Sequence, residues 1–310
     1  MMSANNVLQV VSGIDEKSRL LVKHSLPAWF KIRPPGKKYV EIKSLLRSLN
    51  LVTVCEEARC PNISECWSGG TVTVMVMGDT CTRACKFCHV KTGFPAKPLD
   101  PHEPQRIGSA IAQLGLSYVV ITSVDRDDLK DQGAYHIAAC IKEVRQQCPT
   151  IKIEVLIPDF CGNRELLQII IDAKPDVIAH NLETVQSLQR KVRDPRAGYE
   201  QSLEVLHFVK QKDSSIITKS SLMLGLGESR GEVLVACVDL RAVGVEVVTF
   251  GQYLQPSPRH IPVVEFVSPQ DFDVLKQEAL SCGFRYVAAG PLVRSSYRAA
   301  ELFLGDMHHV

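Results

Sequence analysis

Six cysteines of this chain stand in two triplets. Cys81, Cys85 and Cys88 are spaced C-x3-C-x2-C, and Cys55, Cys60 and Cys66 are spaced C-x4-C-x5-C. Three thiolates on one short loop hold three corners of a cubane iron–sulfur cluster and leave the fourth iron open to an outside ligand. A structural zinc site is the other use of such a loop; it needs a fourth ligand nearby, and His89 adjoins the first triplet. The second triplet alone is less specific, since loop cysteines at that spacing also bind zinc or stay unliganded. The nine histidines, including His308 and His309 at the tail, offer no pairing suited to nucleophilic catalysis, and no residue is assigned as a catalytic acid or base.

Composition sets the compartment. Eleven cysteines are an odd count, and the N-terminus mixes Asp15 and Glu16 with Lys17 and Arg19 where an export signal would be apolar. In a reducing cytoplasm, clustered cysteines hold metal or do redox chemistry more often than they form bridges. A net charge of +2 gives no case for nucleic acid or anionic lipid as partner. No apolar run approaches the roughly 20 residues of a membrane helix. With 310 residues, 45% of them hydrophobic, the chain suits two domains or one large α/β barrel.

The elements that must position the cysteines begin at residue 71. Strands are expected at 71–77, 118–122, 151–157, 176–179, 217–224 and 245–250, rich in β-branched or apolar residues. Unbroken apolar runs such as 118–122 suit strands buried on both faces of a parallel sheet. Between them run helical stripes: Ile107, Ala110, Ile111 and Leu114 behind Pro104; Ile137, Ile141 and Val144; Tyr199, Leu203 and Leu206. A shorter helix is expected near 40–49. A β-then-α unit repeated about six times implies a parallel α/β fold, whose site lies at the C-terminal ends of the strands. Glycine and polar residues follow the strands there: Gly78 and Asp79, Ser123 and Asp125, Asp159 and Cys161, His180 to Glu183, Gly225 and Gly227, Gly251 and Gln252.

A C-x3-C-x2-C loop after the first strand of such a fold resembles the signature of the radical S-adenosylmethionine superfamily. The full pattern resembles one family within it, the lipoyl synthases. The segments carrying the likeness are 78–88 (GDTCTRACKFC), 122–129 (TSVDRDDL), 180–185 (HNLETV), 251–257 (GQYLQPS) and 290–297 (GPLVRSSY), within a span from about Pro27 to Ala299. His89 departs from the pattern, which has an acidic or small residue after the last cluster cysteine.

The resemblance implies a partial parallel (β/α)6 barrel of radical-SAM type, residues 71–289, with an N-terminal extension over 1–70 and a C-terminal segment over 290–310. It implies that Cys81, Cys85 and Cys88 bind a 4Fe–4S cluster whose open iron chelates S-adenosylmethionine, and that the reduced cluster yields a 5′-deoxyadenosyl radical. It implies a second 4Fe–4S cluster on Cys55, Cys60, Cys66 and Ser296, consumed as sulfur donor. Two sulfurs would enter C6 and C8 of an octanoyl chain on a carrier lysine. Ser123, Asn181 and Glu183 are expected to grip S-adenosylmethionine; turn and cap chemistry is their ordinary use. Expected partners are octanoylated lipoyl carrier domains (2-oxoacid dehydrogenase acyltransferase subunits and the glycine cleavage carrier protein) and an electron donor such as ferredoxin or flavodoxin. Nucleic acid and membrane are not expected partners, and a monomer is. The alternatives are another radical enzyme inserting sulfur or methylthio groups, and a non-catalytic iron–sulfur or zinc scaffold.

Other features read more plainly. Asp125, Arg126, Asp127 and Asp128 form a charge run, ordinarily a solvated face, that on a rim loop can order a site through Arg–carboxylate pairs. Gly225 and Gly227 suit close backbone approach to the adenosine. Cys140, Cys237 and Cys282 read as small buried hydrophobes and Cys148 as a helix end, whereas Cys161 follows the third strand on the active rim.

Overall fold

The computed structural model describes residues 26–30, 36–58, 60–68, 71–95 and 98–297. The N-terminal charges from Asp15 to Arg19 and the tail histidines His308 and His309 lie outside the described residues. Residues 26–30 make a turn closed by the Phe30 N–H to the Pro27 carbonyl at 3.0 Å. The expected short helix is α1 (Lys37–Ser48), followed by β1 (Val52–Thr53), α2 (Val54–Glu57) and α3 (Ile63–Ser68).

From residue 72 the chain alternates as its hydrophobic periods require. The strands are β2 (Val72–Val76), β5 (Tyr118–Ser123), β6 (Lys152–Leu156), β7 (Val177–Ala179), β8 (Ile217–Leu224), β9 (Val247–Gln252) and β10 (Tyr286–Gly290). A small pair, β3 (Thr80–Cys81) and β4 (Lys91–Thr92), brackets the first cysteine loop. The principal helices between the strands are α4 (Glu103–Leu114), α5 (Ala134–Gln147), α6 (Arg164–Asp172), α8 (Tyr199–Lys212), α9 (Arg230–Ala242) and α10 (Pro269–Ser281), with the short α7 (Gln189–Val192) ahead of α8. Ile107, Ala110 and Ile111 of α4 and Ile137, Ile141 and Val144 of α5 are buried, as their spacing demands.

Among the described residues these strands form one eight-stranded sheet, β1-β2-β5-β6-β7-β8-β9-β10, parallel throughout except for antiparallel β1. Among the described residues no pairing joins β10 to β1, so the barrel they form is partial and open. Six βα units are present as expected, and they end on a further parallel strand, β10, registered against β9 from Tyr286–Val247 to Gly290–Gly251. That strand escapes sequence reading because its residues are YVAAG, with one β-branched side chain. A buried ion pair lies nearer the N-terminal ends of the strands: Lys219 Nζ lies 2.8 Å from Glu154 Oε1, and the Tyr118 hydroxyl donates to Glu154 at 2.6 Å. No helix among the described residues is long and apolar enough to cross a membrane.

Candidate active site

One cavity of about 530 Å³ opens at the C-terminal ends of the strands. Its walls include Cys55, Cys60, Cys81, Cys85, Cys88, Ser123, Asn181, Glu183 and Ser296. Of the ten residues assigned as cluster ligands or S-adenosylmethionine contacts, nine are on this wall; Cys66 sits part-buried on α3, against the apolar core.

The first triplet is held by backbone N–H groups and an arginine clamp. Cys81 Sγ accepts from the Arg83 and Asp125 N–H groups, each at 3.4 Å, and Cys85 Sγ from the Asp194 N–H at 3.3 Å. Burial pushes Cys81 and Cys85 up to about 12 and Cys88 up to about 11. As thiolates they therefore require a compensating positive charge beside them, which bound iron supplies. Arg83, 4% exposed, makes a two-pronged bond to Asp159 with both distances 2.7 Å, and also reaches Asp127 at 2.9 Å. Arg196 adds a bond from the rim to Asp194 at 2.8 Å, and Asp194 in turn accepts the Ala84 N–H at 2.8 Å. The charge run is thus mostly not a solvated face: Asp125 and Asp127 serve this clamp, and buried Arg126 pairs with Asp128 at 2.8 Å.

The second triplet is brought in by β1. Its antiparallel register, Val52 to Met75 and Thr53 to Val74, carries the chain back along β2 and sets Cys55 beside Thr73. Thr53 caps the turn that follows, its hydroxyl accepting from the Glu56 N–H at 3.3 Å. The C-terminal segment after β10 then crosses to the same place. The Thr73 hydroxyl donates to Ser296 Oγ at 3.0 Å, the Tyr297 hydroxyl donates to Glu65 at 3.1 Å, and the Asn62 amide donates to the Leu292 carbonyl. Gly251 permits this path: a Cβ there would lie 2.0 Å from the Val293 carbonyl oxygen. Burial raises the Cys55 thiol to about 11 and also raises Cys60, which the Arg294 guanidinium partly offsets.

The cavity also has polar groups that are incompletely satisfied. Ser123 Oγ and Asn181 Oδ1 are buried with no hydrogen-bond partner among the described residues. Each such atom costs about 1–3 kcal/mol unless a ligand pairs it. The Asn181 amide donates to Glu183 at 3.0 Å, and burial raises the Glu183 pKa against the lowering influence of Arg193. Glu183 has φ +67°, a left-handed conformation that a side chain adopts at a cost and that clusters at ligand sites. Two orphan oxygens, a buried carboxylate and cysteine thiols lining one cavity fit a cluster with a bound amino-acid nucleoside.

Several contributors carry no local motif. Thr73 reads in sequence as one more strand residue, and Arg83 and Asp159 stand 76 positions apart. His89 Nδ1 donates to the Glu57 carbonyl at 2.8 Å, joining the first cysteine loop to the segment between Cys55 and Cys60. Gly225 is absent from the cavity wall. The space of its missing Cβ is taken by Gln252 and the Glu265 carbonyl, so its close approach is to protein and not to a nucleoside.

Comparison with known proteins agrees with this geometry. Residues 75–239 match the model of the Radical SAM superfamily, and residues 12–60 match that of the N-terminal domain of lipoyl synthase of the Radical SAM family. The chain is 54% identical over 284 residues to a lipoyl synthase of Thermus thermophilus, covering 91% of this chain and 88% of that one. It is 57% identical over 284 residues to a lipoyl synthase of Halobacterium salinarum, covering 90% and 91%. Among solved structures it is similar in fold to Streptococcus suis SuiB bound to S-adenosylmethionine, with TM-score 0.55, 12% identity, and 82% of this chain and 61% of that chain covered.

Proposed function

The chain belongs to the lipoyl synthase family of radical S-adenosylmethionine enzymes, and from that premise we propose which of its residues do the work. Its activity is the family's, sulfur insertion into protein-bound octanoyl-lysine to give lipoyl-lysine, with S-adenosylmethionine and 4Fe–4S clusters as cofactors. When bound, these cofactors supply hydrogen abstraction from unactivated carbon, which no side chain of ordinary pKa achieves.

Cys81, Cys85 and Cys88 hold the cluster that binds S-adenosylmethionine, and Ser123, Asn181 and Glu183 grip that ligand. Ser123 and Asn181 gain the hydrogen bonds their buried oxygens lack, and Glu183 faces the ligand's positive charge. Cys55, Cys60, Cys66 and Ser296 hold the second 4Fe–4S cluster, the donor of sulfur to C6 and C8. Arg294, facing Cys60, favours its thiolate. The single observation that carries this reading is that one cavity is walled by cysteines of both triplets and by Ser296. On this reading the 71–289 barrel is flanked by an N-terminal extension over 1–70, which carries Cys55, Cys60 and Cys66, and by a C-terminal segment over 290–310, which carries Ser296. An alkoxide is a harder and poorer match to iron–sulfur chemistry than thiolate, so Ser296 would hold its iron less firmly than the three cysteines hold theirs.

The substrate arm comes from a lipoyl carrier domain, on 2-oxoacid dehydrogenase acyltransferase subunits or the glycine cleavage carrier protein. The reductant is a ferredoxin or flavodoxin, the enzyme works as a monomer, and it works in the reducing cytoplasm.

Iron content of triplet variants tests the assignment. Replacing Cys81, Cys85 and Cys88 by Ala should leave about four irons and abolish 5′-deoxyadenosine formation. Replacing Cys55, Cys60 and Cys66 should also leave about four but spare that formation. Equal iron loss with equal loss of 5′-deoxyadenosine in both variants would break the division of labour.

A further inference from the structure

A second cavity, of about 450 Å³, lies against the first cysteine loop, and it shares with the large cavity only Cys85 and Cys88. These two cysteines are therefore the partition between the reaction chamber and a separate recess. The loop alternates across that partition, Phe87 lining the chamber and exposed Lys86 the recess. Arg259, also exposed, brings a second cation to the recess, and among the described residues no carboxylate lines it. His260 forms part of the recess wall and donates from Nε2 to the Cys88 carbonyl oxygen at 2.9 Å. Just beyond Thr92 on the rim, Phe94 is 87% exposed, the most exposed large apolar side chain among the described residues.

Resting on the cluster assignment above, we propose that this recess is the docking site of the protein that reduces the cluster, an electron carrier with an acidic face around its redox group. The substrate arm occupies the large cavity, so the reductant needs a different approach to the same cluster. The recess provides one, because its wall includes two of the cluster's own ligands. Lys86 and Arg259 steer an acidic partner, and Phe94 offers the exposed aromatic anchor typical of an interface centre. The step moves one electron from the carrier to the cluster; the carrier is oxidised by one, the cluster reduced by one, and no bond or proton changes place.

The test uses the two-cluster protein without S-adenosylmethionine or substrate, mixed anaerobically with fully reduced flavodoxin. The readout is the appearance of one-electron-oxidised flavin together with cluster bleaching. K86E and R259E should each slow this reaction about tenfold and flatten its fall with salt, and R259K should restore it. Reduction by dithionite, which needs no docking, should stay within about twofold of wild type, as should the affinity for an octanoyl carrier domain. Unchanged flavodoxin kinetics in both variants would overturn the proposal. Weakened carrier-domain binding in its place would also overturn it, assigning the recess to substrate docking. Failure of dithionite to reduce the wild-type protein would overturn the cluster assignment, and this proposal with it.

Discussion

Thr73 and Ser296 are 223 residues apart and joined by one hydrogen bond, the threonine hydroxyl donating to the serine oxygen at 3.0 Å. Thr73 belongs to the first parallel strand and Ser296 follows the last, so the bond spans the open seam of the partial barrel. Cys55 lies against the same threonine. The second cluster proposed for Cys55, Cys60, Cys66 and Ser296 would therefore draw its ligands from segments that precede and follow the parallel strands.

Ser296→Cys should keep about eight irons per chain yet lose sulfur insertion at least about a hundredfold, because a thiolate corner does not open readily. Iron analysis and product mass spectra from the same sample check this. Full activity with a filled second cluster would remove the labile-serine argument.

Arg83→Lys should be far from conservative. Lysine cannot reproduce the two-pronged bond to Asp159 while also reaching Asp127. A loss of about 3–5 kcal/mol is expected for breaking the buried network. Denaturant unfolding measures it, and electron paramagnetic resonance should show the signal of the first cluster perturbed and that of the second retained.

Acid stability carries its own signature. Burial alone would raise Asp159, but its hydrogen bonds to Arg83 and that residue's charge outweigh burial and hold it at about 2. A depressed carboxylate contributes stability above its unfolded pKa of about 3.9, and that stability is lost as pH falls through the folded value. The wild-type protein should therefore lose about 2–3 kcal/mol between roughly pH 4 and 2 from this group. Asp159→Asn should lack that part of the acid limb, measured as the pH dependence of urea midpoints.

His89→Asp should free the Cys55–Cys60 segment, because a carboxylate cannot donate to the Glu57 carbonyl. Hydrogen exchange over residues 54–60 of the metal-free protein should rise several-fold, and His89→Asn, which keeps an N–H donor, should partly restore protection.

Much of this was legible from residue spacing. The C-x3-C-x2-C loop is a local motif, and the strand and helix periods before it and after it give a rim on which to place it. The rest depends on contacts between distant residues. Arg83 looks like any loop arginine until β6 delivers Asp159 beneath it. Thr73 is hidden in a run that periodicity reads only as core. Strand β10 reads YVAAG, with two alanines and a glycine that have little strand preference, so propensity says little about the element that carries Ser296 to the site. Gly225 and Gly227 suggested nucleoside contact because both kinds of close approach need the same glycine. Cys66 belongs to the second triplet by spacing but packs off the cavity wall in the structure.

The most direct test of the central claim is anaerobic mass spectrometry of an octanoyl-lysyl carrier peptide incubated with the two-cluster protein, reductant and S-adenosylmethionine. The peptide should gain two sulfurs and lose two hydrogens. Formation of 5′-deoxyadenosine with an unchanged peptide would contradict the account, leaving the radical machinery intact and the substrate wrong.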